Sequence, residues 1–375
     1  MKYDYLVVGA GLFGASFARV ASDAGRSVLV IDKRPHVGGN AYTENMNGIH
    51  VHVYGPHVFH TDNTDVWKFV QRFAKFNDFV NMPLARSDGE YYHLPFNMHT
   101  FEQMWGVSSA DEARRLIDKM REPPKSECAH SLEEFAISNI GRELYEKFIK
   151  GYTEKQWGRK CSELPASIIK RIPVRYEYDN RYFNDRFQGV PVGGYTSMVQ
   201  NMLDGIDVVL DADYLDDRDR FNEMADTVVY SGSLDTLYDY RFGMLEYRAV
   251  SFEHETLSTA DYQGNAVVTY VDADVPWTRI TEHKWFNFGK KNDGADCDYT
   301  VISREFSSEW KPGEIRSYPI NDSANNELYQ RYKDIADNDP KLVVGGRLGE
   351  YKYMDMDDVI ASALELFTRL QRGLQ

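Results

Sequence analysis

The run Gly9-Ala10-Gly11-Leu12-Phe13-Gly14 constrains this chain more than any other feature. It follows a strand-like stretch, Asp4 to Val8, and opens a helical one from Ala15 to Ala24. Ser27 to Ile31 then reads as a second strand. In such a unit the first glycine permits a tight turn and the second lets a pyrophosphate approach the backbone. The third lets helix and strand pack closely, and the helix N-terminus faces the phosphates. Asp32, ending the second strand, is placed to accept hydrogen bonds from an adenosine ribose. The glycines alone are a weak signal, and the surrounding pattern is what turns them into a dinucleotide-binding expectation.

Two later glycine turns narrow the cofactor. After Asp32, Lys33 and Arg34 comes Gly38-Gly39-Asn40, paired glycines six positions beyond the acid. That spacing resembles the extended FAD signature of glutathione-reductase-like flavoproteins. Asn40 stands where many relatives, the amine oxidases among them, carry arginine. Gly345-Gly346-Arg347-Leu348-Gly349 follows the strand-like Leu342–Val344 and precedes an amphipathic helix from about Asp357. A late turn of this kind returns to the flavin, where backbone N–H groups stabilise anionic charge and Arg347 can pair with the pyrophosphate.

The bulk numbers exclude other classes. Of 375 residues, 43 are basic and 58 acidic, a formal charge of −15 that repels nucleic acid and anionic membrane. The same field repels a sugar nucleotide, so a site for one needs locally gathered arginines. No apolar run of membrane-spanning length occurs, and the N-terminus lacks the pattern of a secretory signal. Cys128, Cys161 and Cys297 are widely spaced and odd in number, which suggests neither a disulfide framework nor a metal site. A cytoplasmic location is expected.

The organisation is α/β: a discontinuous Rossmann-like FAD-binding domain with an inserted helical module and an inserted antiparallel β-sheet. The expected boundaries are 1–76, 192–234 and 315–375 for the FAD domain and 97–160 for the helical module. Segments 77–96, 161–191 and 235–314 form the sheet domain. Capping-box spacing at Thr100/Gln103, Ser109/Glu112 and Ser131/Glu134 marks helix starts. Tyr145, Phe148, Ile149 and Tyr152 share one helical face. Ile206–Leu210, Thr227–Tyr230, Val267–Val271 and Tyr299–Ser303 read as strands, and the β-branched and aromatic stretch from about 165 to 190 suggests more.

Four segments, in order across nearly the whole chain, resemble bacterial UDP-galactopyranose mutases. These are Gly55-Pro56-His57-Val58-Phe59-His60-Thr61, Tyr152-Thr153-Glu154-Lys155-Gln156-Trp157-Gly158, Lys170-Arg171-Ile172-Pro173-Val174-Arg175 followed by Tyr182-Phe183, and Gly345 to Asp355. The resemblance implies that Arg171, on a mobile loop, and Arg279 clamp a diphosphate, with Arg248 adding positive charge. It implies that Phe148 and Tyr152 pack on uracil and that Trp157 faces the galactose. Tyr182, Tyr318 and Tyr353 would hydrogen-bond phosphate oxygens beside Asp355, and Asn81, Thr153 and Asn265 complete the substrate set. His57 would sit near flavin N5 with His60 close by. The cofactor set is Gly9, Gly11, Leu12, Phe13, Gly14, Asp32, Lys33, Gly39, Asn40, His57, Arg347, Tyr353, Asp355 and Met356, with no metal.

The implied activity is that of an isomerase interconverting UDP-galactopyranose and UDP-galactofuranose, which supplies galactofuranose for cell-surface polysaccharide. FAD would act in its reduced form: N5 displaces UDP, the sugar opens and recloses on the adduct, and no net redox change occurs. The resemblance also implies a homodimer. Two alternatives remain. A flavin amine oxidase shares the fold and glycine pattern but transfers electrons. A Rab-GDP-dissociation-inhibitor-like binding protein shares the fold and holds no flavin, against which the intact glycines stand.

Overall fold

A computed structural model describes residues 2–124, 130–168 and 174–373. The chain divides into two compact units. The first comprises Met1–Asp78, Asp185–Tyr247 and Arg316–Gln375; the second comprises Phe79–Asn184 and Arg248–Ile315.

The first unit is built on a parallel sheet. Its strand order is Leu342–Val344, Ala225–Tyr230, Tyr3–Val8, Val28–Ile31 and Asp207–Val209. Tyr5 aligns with Thr227 on one side and with Val28 on the other, so the two long pairings share one register. Val28 to Ile31 is buried throughout. That continuous apolar strand is what a parallel sheet covered on both faces requires. Helices Leu12–Asp23 and Met356–Gln371 pack together over one face, where Phe17 meets Phe367 edge-on at 5.7 Å and Tyr5 at 5.3 Å. Tyr214, Leu234, Leu237 and Tyr332 join the core on Leu6, Leu29 and Val228. The first helix starts at Leu12 and not at Ala15, because Gly11 is its N-cap. Such a sheet presents ligand at the carboxyl ends of its strands. Here those ends are Val8, Ile31 and Tyr230, each at or beside a glycine turn or Asp32.

The second unit has a mixed sheet. Its strands run Tyr247–Leu257, Thr300–Glu309, Arg279–Glu282, Val267–Tyr270, Leu84–Ser87 and Glu90–His93. All neighbours are antiparallel except Val267–Tyr270 and Leu84–Ser87, which run parallel. Helices Met98–Trp105, Ala110–Met120, Leu132–Ile140 and Gly151–Trp157 surround a core that includes Ala85, Tyr92 and Val271 of the sheet region. Between 97 and 160 the helices therefore share one core with the sheet. Tyr145–Lys150 forms a π-helical turn, and Tyr145, Phe148 and Ile149 are its buried side.

Two expectations are corrected. Thr100 is the third residue of its helix and not its cap. Asn97 caps it, its Oδ1 accepting from the His99 N–H at 2.8 Å, while Thr100 Oγ1 accepts back from the Asn97 N–H at 3.3 Å. In the stretch from about 165 to 190, only Phe187–Gly189 is a strand among the described residues, and it pairs with Phe59–Thr61 in the first unit. In 174–184 a few isolated backbone bonds, such as the Arg175 N–H to the Phe96 carbonyl at 2.9 Å, are joined by side-chain donors in place of a continued ladder. Asn97 Nδ2 donates to the Asp179 carbonyl at 3.1 Å and to Asn180 Oδ1 at 2.9 Å, and Arg175 donates to the Arg181 carbonyl. Backbone acceptors satisfied in this way need no neighbouring strand.

Asn97 is wholly buried. Asn97→Ala removes a helix cap and takes the side-chain donor from the buried Pro95 carbonyl, which should cost about 2–3 kcal/mol. An earlier urea transition followed by tryptophan fluorescence would register it. Asn97→Asp, which keeps the capping acceptor, should lose less.

Candidate functional site

In the first unit two glycine turns meet backbone to backbone, and a third packs on a side chain of the first. Gly9 has φ +110°, and a Cβ on it would lie 2.2 Å from Ser231 Oγ. A Cβ on Gly14 would fall 1.9 Å from the Gly9 carbonyl oxygen, an atom that cannot yield. The Gly38 N–H donates to the Ala10 carbonyl at 2.9 Å, and a Cβ on Gly39 would come to 3.0 Å from the Gly11 Cα. The third turn closes on Phe13: a Cβ on Gly345 would be 2.2 Å from its ring. Phe13 and Leu12 are buried, so both shape the cradle by packing.

The helix N-cap is glycine and has no side chain to satisfy the first-turn N–H groups, which leaves them for an anion. Asp32 Oδ2 accepts from the Ala10 N–H at 2.7 Å and Oδ1 from the Arg34 N–H at 2.9 Å. The carboxylate therefore fastens the first turn to the start of the segment that leads to the second, and each oxygen keeps a second lone pair for a ribose hydroxyl. Lys33 and Asn40 are exposed. Asn40 Oδ1 accepts from Arg34 Nη2 at 2.9 Å, and the guanidinium lies 4.9 Å from the Tyr54 ring. Arg34 Nη1 is buried with no hydrogen-bond partner among the described residues. A buried orphan donor beside a glycine cradle fits an anionic dinucleotide. Arg34 was not among the expected site residues, although its place two positions after Asp32 was a signal.

The histidine segment is held by backbone. His57 Nδ1 lies 2.6 Å from the Gly55 carbonyl, so in the neutral ring Nδ1 carries the proton and Nε2 is the acceptor. The Tyr195 hydroxyl donates to the His57 carbonyl at 3.1 Å. His60 Nδ1 pairs with Asp185 Oδ2 at 3.1 Å. Asp185 was likewise not anticipated. Near the chain end the Arg347 guanidinium lies over the rings of Tyr353 at 4.5 Å and Tyr318 at 5.3 Å, and donates to the Ser317 carbonyl. Burial and the neighbouring Asp355 carboxylate raise the Tyr353 hydroxyl, which stays protonated at neutral pH. Asp355 occupies the N-cap position of helix Met356–Gln371 without a side-chain capping bond, and Met356 begins that helix.

In the second unit Phe148 is core, touching Tyr92 at 5.1 Å and Phe96 at 5.3 Å. Tyr152 and Trp157 are half-buried against the same cluster, and Thr153 is buried. Arg248 sits at the C-terminus of helix Gly151–Trp157. Its Nε donates to the Gln156 carbonyl at 2.9 Å and Nη2 to Ser307 Oγ at 3.3 Å, a cation on the negative end of the helix. Gly158 ends the helix at φ +66°, a left-handed conformation that favours glycine, with the Arg248 guanidinium against it. Burial lowers the guanidinium pKa.

Arg279 pairs across strands with Glu305. Nε donates to Oε1 and Oε2 at 3.1 and 3.0 Å, and Nη2 lies 2.8 Å from Oε2. Glu305 is 2% exposed and also accepts from Thr278 Oγ1 at 2.8 Å. Its role could not be seen before strand register was known. Asn265 Nδ2 donates to the Met82 carbonyl at 2.9 Å, and the Asn81 carbonyl accepts from the Tyr182 N–H at 2.8 Å. Asn265 and Asn81 thus shape loops, while the Tyr182 side chain is exposed. Arg171 lies outside the described residues.

Comparison with known proteins identifies relatives. A family described as UDP-galactopyranose mutase matches residues 147–353, and one described as an NAD(P)-binding Rossmann-like domain matches residues 7–73. A probable UDP-galactopyranose mutase of Klebsiella pneumoniae is 43% identical, over 96% of this chain and 93% of the relative. A dTDP-fucopyranose mutase of Escherichia coli is 39% identical over 96% of each. The crystal structure of a reduced UDP-galactopyranose mutase superposes with a TM-score of 0.74, covering 100% of this chain and 94% of that one. At 13% identity this is a likeness of fold.

Gly14→Ala forces a Cβ onto the Gly9 carbonyl. The expected result is a protein purified without bound dinucleotide and with a lowered melting temperature. Gly205→Ala, at a glycine with open space around it, should keep the nucleotide; there the positive φ alone costs about 1 kcal/mol.

Proposed function

The chain belongs to the UDP-galactopyranose mutase family of isomerases, and from that premise we propose that it interconverts UDP-galactopyranose and UDP-galactofuranose using FAD. The observation that carries the cofactor is the interlocked cradle of Gly9–Gly14 and Gly38–Gly39, with its orphaned Arg34 donor. Reduced flavin, when bound, supplies a nucleophilic nitrogen to the anomeric carbon and ends at its starting oxidation state.

The chain's own residues bind and supply charge. Gly11 to Gly14 and Arg34 would hold the dinucleotide phosphates and Asp32 the ribose. Arg279 would meet the UDP diphosphate as it gains negative charge on departure, and Glu305 keeps that guanidinium oriented. Arg171 would act with it. Tyr152 and Trp157, half-buried on one helix, would line the nucleotide and sugar sides. Phe148 would support Tyr152 from the core. Tyr318, Tyr353 and Arg347 would form a polar face for phosphate or flavin, and His57 would lie close to the flavin. In this reading the protein works in the cytoplasm as a homodimer, and the furanose product feeds cell-surface polysaccharide.

A second reading rests on the Escherichia coli relative: the same ring contraction on dTDP-fucopyranose. The two substrates differ in the base methyl, the ribose 2′-hydroxyl and the sugar C6 hydroxyl. Chemistry at the anomeric carbon is common to both.

The test is to purify the protein, record its visible spectrum, reduce it with dithionite and supply each furanose substrate, following products by chromatography. A flavin spectrum with turnover of UDP-galactofuranose, only when reduced, is expected. Preferential turnover of dTDP-fucofuranose would transfer the assignment to the second reading, and a colourless protein would remove the flavin. Arg279→Ala should cost about 2–4 kcal/mol of transition-state stabilisation while leaving the flavin spectrum unchanged. Near-normal turnover in that variant would sink the diphosphate role.

A further inference from the structure

The connection between strands Val267–Tyr270 and Arg279–Glu282 makes few backbone hydrogen bonds of its own. The Tyr270 N–H donates to the Thr278 carbonyl at 2.9 Å, and the Val275 N–H donates to the Asp272 carbonyl at 3.3 Å. Its carbonyls turn instead to one side chain. Lys155 Nζ lies 2.8 Å from the Tyr270 oxygen, 2.8 Å from that of Asp272, 3.0 Å from that of Val275 and 3.2 Å from that of Trp277. An ammonium has three donors and no acceptor, so these oxygens share it.

A second observation is independent of the lysine. A Cβ on Gly151, at the start of the helix bearing Lys155, would lie 2.2 Å from the Val271 carbonyl oxygen. Helix backbone and connection backbone therefore touch directly, and the lysine clasps them from four residues further on.

The elements so joined carry the sugar-nucleotide candidates. Helix Gly151–Trp157 bears Tyr152, Thr153 and Trp157, and Arg279 follows two residues after the Trp277 carbonyl. We propose that Lys155 is a positioning residue that holds Arg279 in register with this helix by gathering the carbonyls of the 270–277 connection onto one ammonium. The proposal rests on the reading of Arg279 as a diphosphate ligand. Lys155 reaches substrate only through Arg279, and its charge serves the protein backbone. Burial lowers its pKa to about 8, against the pull of Asp272 and Asp274, and the carbonyl cage selects the protonated form.

Calorimetric titration of the oxidised holoenzyme with UDP and with uridine tests this. Lys155→Met should weaken UDP roughly 10- to 100-fold, the size of a lost charge-assisted contact, and change uridine little. In an Arg279→Ala background the same substitution should have almost no further effect on UDP, since the residue it positions is gone. Wild-type UDP affinity in Lys155→Met, equal losses for UDP and uridine, or an undiminished loss in the double variant each overturns the positioning role. Arg279→Ala with unchanged UDP affinity overturns the diphosphate reading itself, and the proposal with it. Where Lys155→Met gives no folded holoenzyme, Lys155→Arg is read by the same criteria. It keeps the charge in a planar fork that matches fewer carbonyls, so a smaller loss confined to UDP is expected.

Discussion

The contact between Gly11 and Gly39, with Gly14 seated on the Gly9 carbonyl, is the constraint on which the first unit depends. Two turns far from bulky side chains approach to backbone distance, and the third turn, at Gly345, closes on the Phe13 ring. A methyl group added at Gly14 or Gly345 would collide outright, and one at Gly39 would press on the Gly11 Cα at 3.0 Å. The parallel sheet serves the same end. Its register brings Val8, Ile31 and Tyr230 to one edge, so that the turns following them can meet. The Gly38 N–H then fastens the second turn to the Ala10 carbonyl of the first, and Asp32 holds the Ala10 and Arg34 amides beside them. The fold is thus a means of holding bare backbone N–H groups still, in a place where a side chain would cap them or fill the space.

In the proposed function the second unit answers a different problem, which follows from the charge of −15. A chain this acidic can attract a sugar nucleotide only where cations are fixed in place. Arg279 is braced by the buried Glu305 and Arg248 by a helix C-terminus and Ser307, while Lys155, in its cage of carbonyls, serves the backbone that leads to Arg279. Carbonyls and a helix end order Arg248 and Lys155 without neutralising them, whereas the Glu305 carboxylate orders Arg279 and formally offsets its charge. Long basic side chains in water would lose much rotamer freedom on binding a diphosphate; these have already lost it.

Local chemistry made most of the first unit legible. Glycine spacing, a terminal acid and apolar strands are short-range signals, and the strand at Leu342–Val344 was recognisable from its turn. Helix starts at Ser109 and Ser131 were readable from their caps, whose hydroxyls do accept from Glu112 and Glu134. Thr100 misled because a capping box is reciprocal. Its hydroxyl is part of the box, but Asn97 is the cap. The stretch from about 165 to 190 misled for a related reason. Its composition suits strands, yet Asn97 satisfies its carbonyls from outside and Arg175 from within.

By itself the sequence determined the residue types that chemistry needs: three glycine turns, an acid at a strand end, and arginines and tyrosines in a recognisable order. Only tertiary structure decided what those side chains do. Phe148 and Tyr152 share a helical face, yet Phe148 is enclosed by Tyr92 and Phe96 while Tyr152 stays half-buried. Arg279 and Arg248 are alike in sequence but are held by a carboxylate and a helix end respectively. Glu305 and Lys155 carried no signal at all. Their partners lie 26 residues away on a paired strand, and 115 to 122 residues away in a connection. Local pattern encodes conformation through nearest neighbours along the chain. The orientation of a cation depends on groups brought to it through space, and register and packing alone determine which groups those are.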